Sequence, residues 1–251
     1  MKVHHGKTGD NWILYCGDCR EVMRDMPDAS VDSVVTSPPY NQIDSMGSGS
    51  GLMSGNGWLA KCSEKGYSDE MPEDDYQRWI VDVVGDCARM SRGLTWVNHK
   101  VRYRDRVAIH PARWMPFPIY SEIIWDRGGA IALNCRRSAP SHEVILGFGS
   151  PHWWDRCNDA KCSVWRIPPA SGIGGHPCPF PIEIPRRLIT SSVPPGGTVL
   201  DPFAGSGTTG VAALRMGRKF IGIELNPEYC EIAARRLEAE AASMPLFKEK
   251  A

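Results

Sequence analysis

The sequence has no net charge: 29 Lys and Arg balance 29 Asp and Glu over 251 residues. Overall charge therefore gives no sign of a polyanionic partner. It also lacks any run of about 18 apolar residues, the length a membrane-spanning helix needs. The opening MKVHHGKTGDNW holds no apolar signal core, so a cytoplasmic protein is expected. No internal repeat and no clear linker divide the chain. Nine cysteines make an odd count, and without a secretion signal no disulfide framework is expected. Cys16-Gly-Asp-Cys19 has redox or zinc spacing, but no second pair follows at matching spacing. Small buried thiols and no metal site are the expectation.

The composition, 42% hydrophobic and 23% charged, suits one α/β domain. Charge is unevenly spread. Residues 100–137 hold eight Lys/Arg against three Asp/Glu, and residues 64–86 hold eight acids against two bases. A basic segment in a neutral protein suits phosphate contact, so Lys100, Arg102, Arg104, Arg106, Arg136 and Arg137 are candidate DNA-backbone ligands. Short apolar runs predict strands at 12–15, 31–36, 93–100, 120–125, 144–148, 198–201 and 220–224. Helical periodicity predicts helices at 19–27, 73–90, 182–191, 210–216 and 229–242. Residues 149–179 read as irregular. Alternating strands and helices imply a mainly parallel twisted sheet covered on both faces. The Gly/Ser-rich stretch from Asn41 is expected to be a mobile lid.

Two motifs carry chemistry. In SVDSVVTSPPYN a β-branched strand stops at Pro38-Pro39, because proline donates no backbone hydrogen bond and fixes φ. Ser37, Pro38, Pro39 and Tyr40 therefore form a stiff shelf at a strand's C-terminal end. In TVLDPFAGSGTTG a strand ends at Asp201, and a turn through Gly205, Ser206 and Gly207 leads into a helix at Thr208 or Thr209. Glycines allow close backbone approach and the helix start offers free N–H groups. The next strand, in FIGIELNPEY, ends at Glu224, placed as a ribose acceptor. Phe203 can pack on an adenine. This describes a site for an adenosine-bearing ligand. The turn has no P-loop lysine. Its glycines leave a dinucleotide enzyme as runner-up, against which the Asp-Pro-Phe opening argues.

DPFAGSGTT resembles the S-adenosylmethionine motif of amino-methylating DNA methyltransferases, and TSPPY resembles their catalytic motif. Their order is that of the circularly permuted β group, and LYCGDCREVMRDMPDAS and HPCPFPIEIPRRLI are similar to further segments of it. The resemblance covers most of residues 12–240. It implies a Rossmann-like methyltransferase fold, one domain over 1–251, and a DNA-contacting insertion within about 100–175. It implies S-adenosyl-L-methionine as cofactor and double-stranded DNA as partner, with room for a homodimer and a cognate restriction endonuclease, in a prokaryotic or phage setting. By resemblance, Asp18 contacts the adenine, His176, Phe180 and Pro181 flank the cofactor, Asn226 belongs to the cofactor pocket, and Asn41 to the DNA side. Relatives often carry Lys where Phe180 stands.

The resemblance gives the proline shelf a purpose. An exocyclic amine conjugated to a base ring is a poor nucleophile until acceptors hold its N–H groups. Ser37 Oγ and the rigid Pro38 carbonyl would supply them, and Tyr40 would stack on a base drawn out of the duplex. Serine at the first motif position favours cytosine N4, with adenine N6 as the alternative. An RNA or protein methyltransferase of the same fold and a catalytically dead DNA-binding relative are further readings. The Pro177-Cys178 pair stands in the wrong order for a cytosine-C5 nucleophile.

Overall fold

The computed structural model describes residues 2–6, 11–41, 71–104, 107–129, 138, 140–155, 161–170 and 180–243. The strands are β1 (Lys2–His5), β2 (Trp12–Cys16), β3 (Ser33–Thr36), β4 (Leu94–His99), β5 (Arg102–Arg104), β6 (Val107–Ile109), β7 (Ile119–Asp126), β8 (His142–Gly149), β9 (Val164–Arg166), β10 (Thr198–Asp201) and β11 (Lys219–Glu224). The helices are α1 (Cys19–Arg24), α2 (Glu73–Met90), α3 (Glu183–Ser192), α4 (Thr208–Arg215) and α5 (Pro227–Ser243).

Nine strands form one sheet in the order β1-β2-β11-β10-β3-β4-β8-β7-β9, and β5 and β6 pair separately as a hairpin. β2, β11, β10, β3 and β4 run parallel, while β1 and β8 add antiparallel partners on either side. Period-2 alternation divides the core. Val35, Trp96 and Val199 pack with Leu188, Val211 and Leu237 from α3, α4 and α5. Val34, Leu200 and Ile223 pack with Val22, Met23, Val83 and Cys87 from α1 and α2. Covering both faces explains why β3 reads as a continuous β-branched run, buried at every residue.

α2 matches its predicted bounds. Tyr76, Ile80, Val83, Val84, Cys87 and Met90 make one buried face, and Glu73, Asp74 and Asp75 lie at the electropositive N-terminus. Other expectations need correction. Part of the supposedly irregular 149–179 region is β9, paired parallel to β7. The N-terminal KVHH is an edge strand on β2. α1 stops at Arg24 rather than residue 27. β1, β5 and β9 are only three or four residues long and gain their conformation from ladder pairing, which local pattern does not report.

β10 connects through α4 to β11 on one side, whereas β3 connects through α2 to β4 on the other. The chain therefore changes winding direction between β10 and β3. Ligands in open parallel sheets bind outside the carboxyl ends of strands at such a point.

Candidate active site

Both motifs end at that sheet edge. Asp201 closes β10 and Thr36 closes β3, and Thr36 Oγ1 donates to Asp201 Oδ1 at 2.7 Å. Asp201 Oδ1 also accepts from Phe203 N at 3.0 Å. Burial pushes the Asp201 pKa up to about 6, against the pull of these hydrogen bonds. Asp201 is only 3% exposed, so it organises the two turns from inside. Its Oδ1 is taken up by the two turns.

The catalytic turn is braced from three other strands and helices. Pro38 is buried, and Ser37, Pro39 and Tyr40 are half-buried. Ser37 Oγ lies 2.7 Å from the Tyr40 hydroxyl, which donates to Glu143 Oε2 at 3.1 Å. Asn98 Nδ2 donates to the Tyr40 hydroxyl at 2.5 Å and to Glu143 Oε2 at 2.8 Å. The Tyr76 hydroxyl donates to the Pro39 carbonyl at 2.6 Å and also lies 2.7 Å from His99 Nε2. His99 is fully buried, and burial, reinforced by Arg102, pushes its pKa down to about 3. Its ring, tilted on that of Tyr40 at 5.1 Å, is neutral at physiological pH.

At the glycine turn, Gly205 and Gly207 adopt φ of 51° and 81°, a left-handed conformation that glycine takes without strain. A Cβ on Gly207 would lie 3.1 Å from the Cβ of Ala233 in α5. Glu224 Oε2 accepts from Gly205 N and Oε1 from Asn226 N, each at 2.8 Å. Burial raises the Glu224 pKa. Three backbone N–H groups, those of Gly205, Asn226 and Leu225, leave the carboxylate acceptor capacity for a ribose hydroxyl. The residues therefore fit the cofactor implied by the motif. Phe203 stands edge-on to Trp79 at 5.6 Å.

Other expected cofactor ligands are occupied elsewhere. Arg236 of α5 donates to the Ser206 carbonyl and hydroxyl at 2.5 and 2.9 Å and reaches Thr208 Oγ1 at 3.4 Å, so these side chains anchor the turn to α5. Asn226 Oδ1 accepts from Glu228 N and caps α5. Asp18 caps α1 through Arg20 N and pairs with the Arg20 guanidinium, which holds its carboxyl below the usual range. It nevertheless sits beside Glu224, because Gly17 N donates to the Glu224 carbonyl. Phe180 stands edge-on to Trp125 of β7 and packs against the core cluster that includes Ala204 and Val211. Pro181 is buried just before α3.

The DNA-side residues divide. Arg102 is 4% exposed, forms two bonds to Glu73 at 2.5 and 2.7 Å, and stacks on Tyr76 and Trp114. Its charge is neutralised inside the protein, which corrects its expected phosphate contact. Asn41 is corrected likewise. It is buried, donates to the Met71 carbonyl and accepts from Met71 N, clipping two chain segments together. Lys100 lies over the Tyr40 ring at 5.1 Å. Arg104 is exposed. Arg106, Arg136, Arg137, His176, Pro177-Cys178 and the Gly/Ser-rich stretch after Asn41 lie outside the described residues. Glu143, Asn98, Tyr76 and Arg236 were not expected at the site. A single Glu in the apolar run HEVILGFG was the one available signal.

Comparison with known proteins agrees with this geometry. The DNA methylase family model for N6 and N4 enzymes matches residues 31–235. The type II methyltransferase M.Cfr9I of Citrobacter freundii is 30% identical over 90% of this chain and 88% of its own length. The fold matches the PvuII DNA methyltransferase (cytosine-N4-specific) with a TM-score of 0.69 at 21% identity, covering 90% of this chain and 86% of that one. It also matches TTHA0409 of Thermus thermophilus complexed with S-adenosyl-L-methionine, with a TM-score of 0.64 at 25% identity, covering 92% and 96%. With the cofactor turn and the proline shelf brought to one sheet edge, the chain belongs to the N6/N4 DNA methylase family and is an S-adenosyl-L-methionine-dependent DNA amino-methyltransferase.

Proposed function

We propose that the chain methylates cytosine N4 in double-stranded DNA. The observation that carries this reading is Ser37 at the first position of the proline shelf, its hydroxyl held by Tyr40. Ser37 Oγ and the Pro38 carbonyl accept from the target amine and draw its nitrogen toward tetrahedral geometry. The Pro39 carbonyl is already engaged by Tyr76, which leaves Pro38 as the backbone acceptor of this turn. Proline holds that carbonyl in place before the base arrives, so little reorganisation accompanies reaction. S-adenosyl-L-methionine supplies an electrophilic methyl when bound. Positioning carries most of the rate.

The base reaches this turn by leaving the helix, and the Tyr40 ring supports it there. The region of about 100–175, including the β5–β6 hairpin, serves as target-recognition surface within a single domain. Phosphate contact rests on Arg104 and on Arg106, Arg136 and Arg137. The likeness to a type II methyltransferase supports pairing with a restriction endonuclease.

Adenine N6 is the second reading, since the same two acceptors suit its amine. DNA from expressing cells, digested to nucleosides and analysed by mass spectrometry, separates them. N4-methylcytosine is the expected product. N6-methyladenine would replace the first reading with the second, and neither product would remove both.

A further inference from the structure

Glu143 enters the catalytic turn from β8 and has no role in the chemistry above. It is 3% exposed. Its Oε2 accepts from the Tyr40 hydroxyl at 3.1 Å and from Asn98 Nδ2 at 2.8 Å. Its Oε1 faces Arg127 Nη1 at 3.3 Å and Lys100 Nζ at 3.7 Å. A carboxylate among four donors can only accept. Tyr40 therefore directs its single hydroxyl proton at Glu143. The Tyr40 oxygen is left to accept, from Asn98 Nδ2 at 2.5 Å and from Ser37 Oγ at 2.7 Å. The one Ser37 proton is thereby turned toward Tyr40, and its two lone pairs are left to accept, with Asn98 Nδ2 beside them at 3.4 Å.

We propose that Glu143, acting through Tyr40, fixes Ser37 as an obligate hydrogen-bond acceptor and so makes the pocket select an amino group over a carbonyl on the extruded base. The proposal rests on Ser37 as the acceptor of the target amine. Glu143 touches no reacting atom and is a positioning residue. Its effect is on specificity: uracil in place of cytosine, or hypoxanthine in place of adenine, would set a carbonyl oxygen against an oxygen that cannot donate. A buried acceptor facing an acceptor loses its hydrogen bond without replacement, which discriminates far better than shape alone. In Glu143→Gln the amide can donate to the Tyr40 oxygen. Tyr40 can then donate to Ser37, and Ser37 to a carbonyl, reversing the chain.

The test is equilibrium binding without S-adenosyl-L-methionine. The probes are duplexes carrying the methylated site mapped in expressing cells, with the target base in amino form or as its carbonyl analogue. Weaker pairing of the analogue acts on every protein alike, so the amino-to-carbonyl affinity ratio is compared between proteins. The ratio should fall about 10-fold in Glu143→Gln relative to the native protein. Tyr40→Phe breaks the chain while keeping the Glu143 charge, and should lower the ratio similarly. The double variant should fall no further than the single ones, because both act through one path. An unchanged ratio in Glu143→Gln, or additive losses in the double variant, would overturn the proposal. Ser37→Ala should also lose the preference. If Ser37→Ala keeps it, Ser37 is not the acceptor and the proposal falls with that assignment; if Ser37→Ala loses it while Glu143→Gln does not, only the proposal falls.

Discussion

Thr36 Oγ1 donates to Asp201 Oδ1 at 2.7 Å, and that bond joins the catalytic strand to the cofactor strand where the sheet changes winding direction. The two residues are 165 positions apart in sequence and both are buried. Cofactor turn and proline shelf are thus tied by one buried carboxyl group in addition to the ladder that pairs β10 with β3.

The first prediction concerns that group. The Asp201 pKa rises from 3.8 to about 6 on folding, so the folded state retains the proton over that range. The contribution to stability is complete below pH 3.8 and is lost as pH rises through 6. Asp201→Asn mimics the protonated form and should be more stable than the native protein at about pH 7.5, by up to about 3 kcal/mol. The gap should close near pH 4. Urea midpoints measured across this range check it, and a gap independent of pH would contradict the shift.

His99 should act in the opposite direction. Its pKa falls from 6.5 to about 3, through burial and then Arg102, so the unfolded chain takes up the proton first. Its contribution is present above pH 6.5 and is lost as pH falls toward 3. His99→Gln should flatten the acid limb of the stability profile below pH 6.5. A limb of unchanged slope would assign acid sensitivity to other groups.

Arg102 and Arg104 should separate stability from DNA binding. Arg102→Ala leaves the Glu73 charge buried without its ion-pair partner, with Gln77 Nε2 still donating to it, which costs about 3 kcal/mol of stability. Arg104→Ala should leave stability within about 0.5 kcal/mol. It should reduce the slope of log affinity against log salt by about 1. Chemical denaturation and DNA binding at several salt concentrations measure both effects.

Asn41 should prove structural. Its amide makes two bonds to the Met71 backbone, at 2.7 and 2.8 Å, and its φ is 53°. Asn41→Gly keeps that backbone conformation and removes the clip, so the loss should be about 1–3 kcal/mol. The salt slope of DNA binding should not change. A changed slope with unchanged stability would return Asn41 to the DNA side.

Glu224→Ala should weaken S-adenosyl-L-methionine by about 1.5–3 kcal/mol in calorimetric titration, through lost ribose acceptance and a loosened Gly205. Glu224→Gln should recover part of the loss, since its carbonyl still accepts. Unchanged affinity in Glu224→Ala would move the cofactor away from this turn.

The two motifs, their order and the helix from Glu73 to Met90 were legible in the sequence because each is a local pattern. Proline ends a strand wherever it falls, glycine turns need no distant partner, and a 3.6-residue apolar repeat marks its own buried face. Asp201 and Glu224 could be placed at strand ends for the same reason. Local pattern could not say where each side chain points once elements pack. Arg102 reads as one more cation in a basic segment until Glu73 meets it, and Asn41 as a polar loop residue until Met71 does. Glu143 lies 103 residues from Tyr40, on an antiparallel strand that only the sheet brings beside the proline shelf. The sequence by itself determined which chemical groups the protein owns and which turns present them. The tertiary structure decided which charges are consumed internally and which remain for ligands, because burial and pairing depend on residues that only folding brings together.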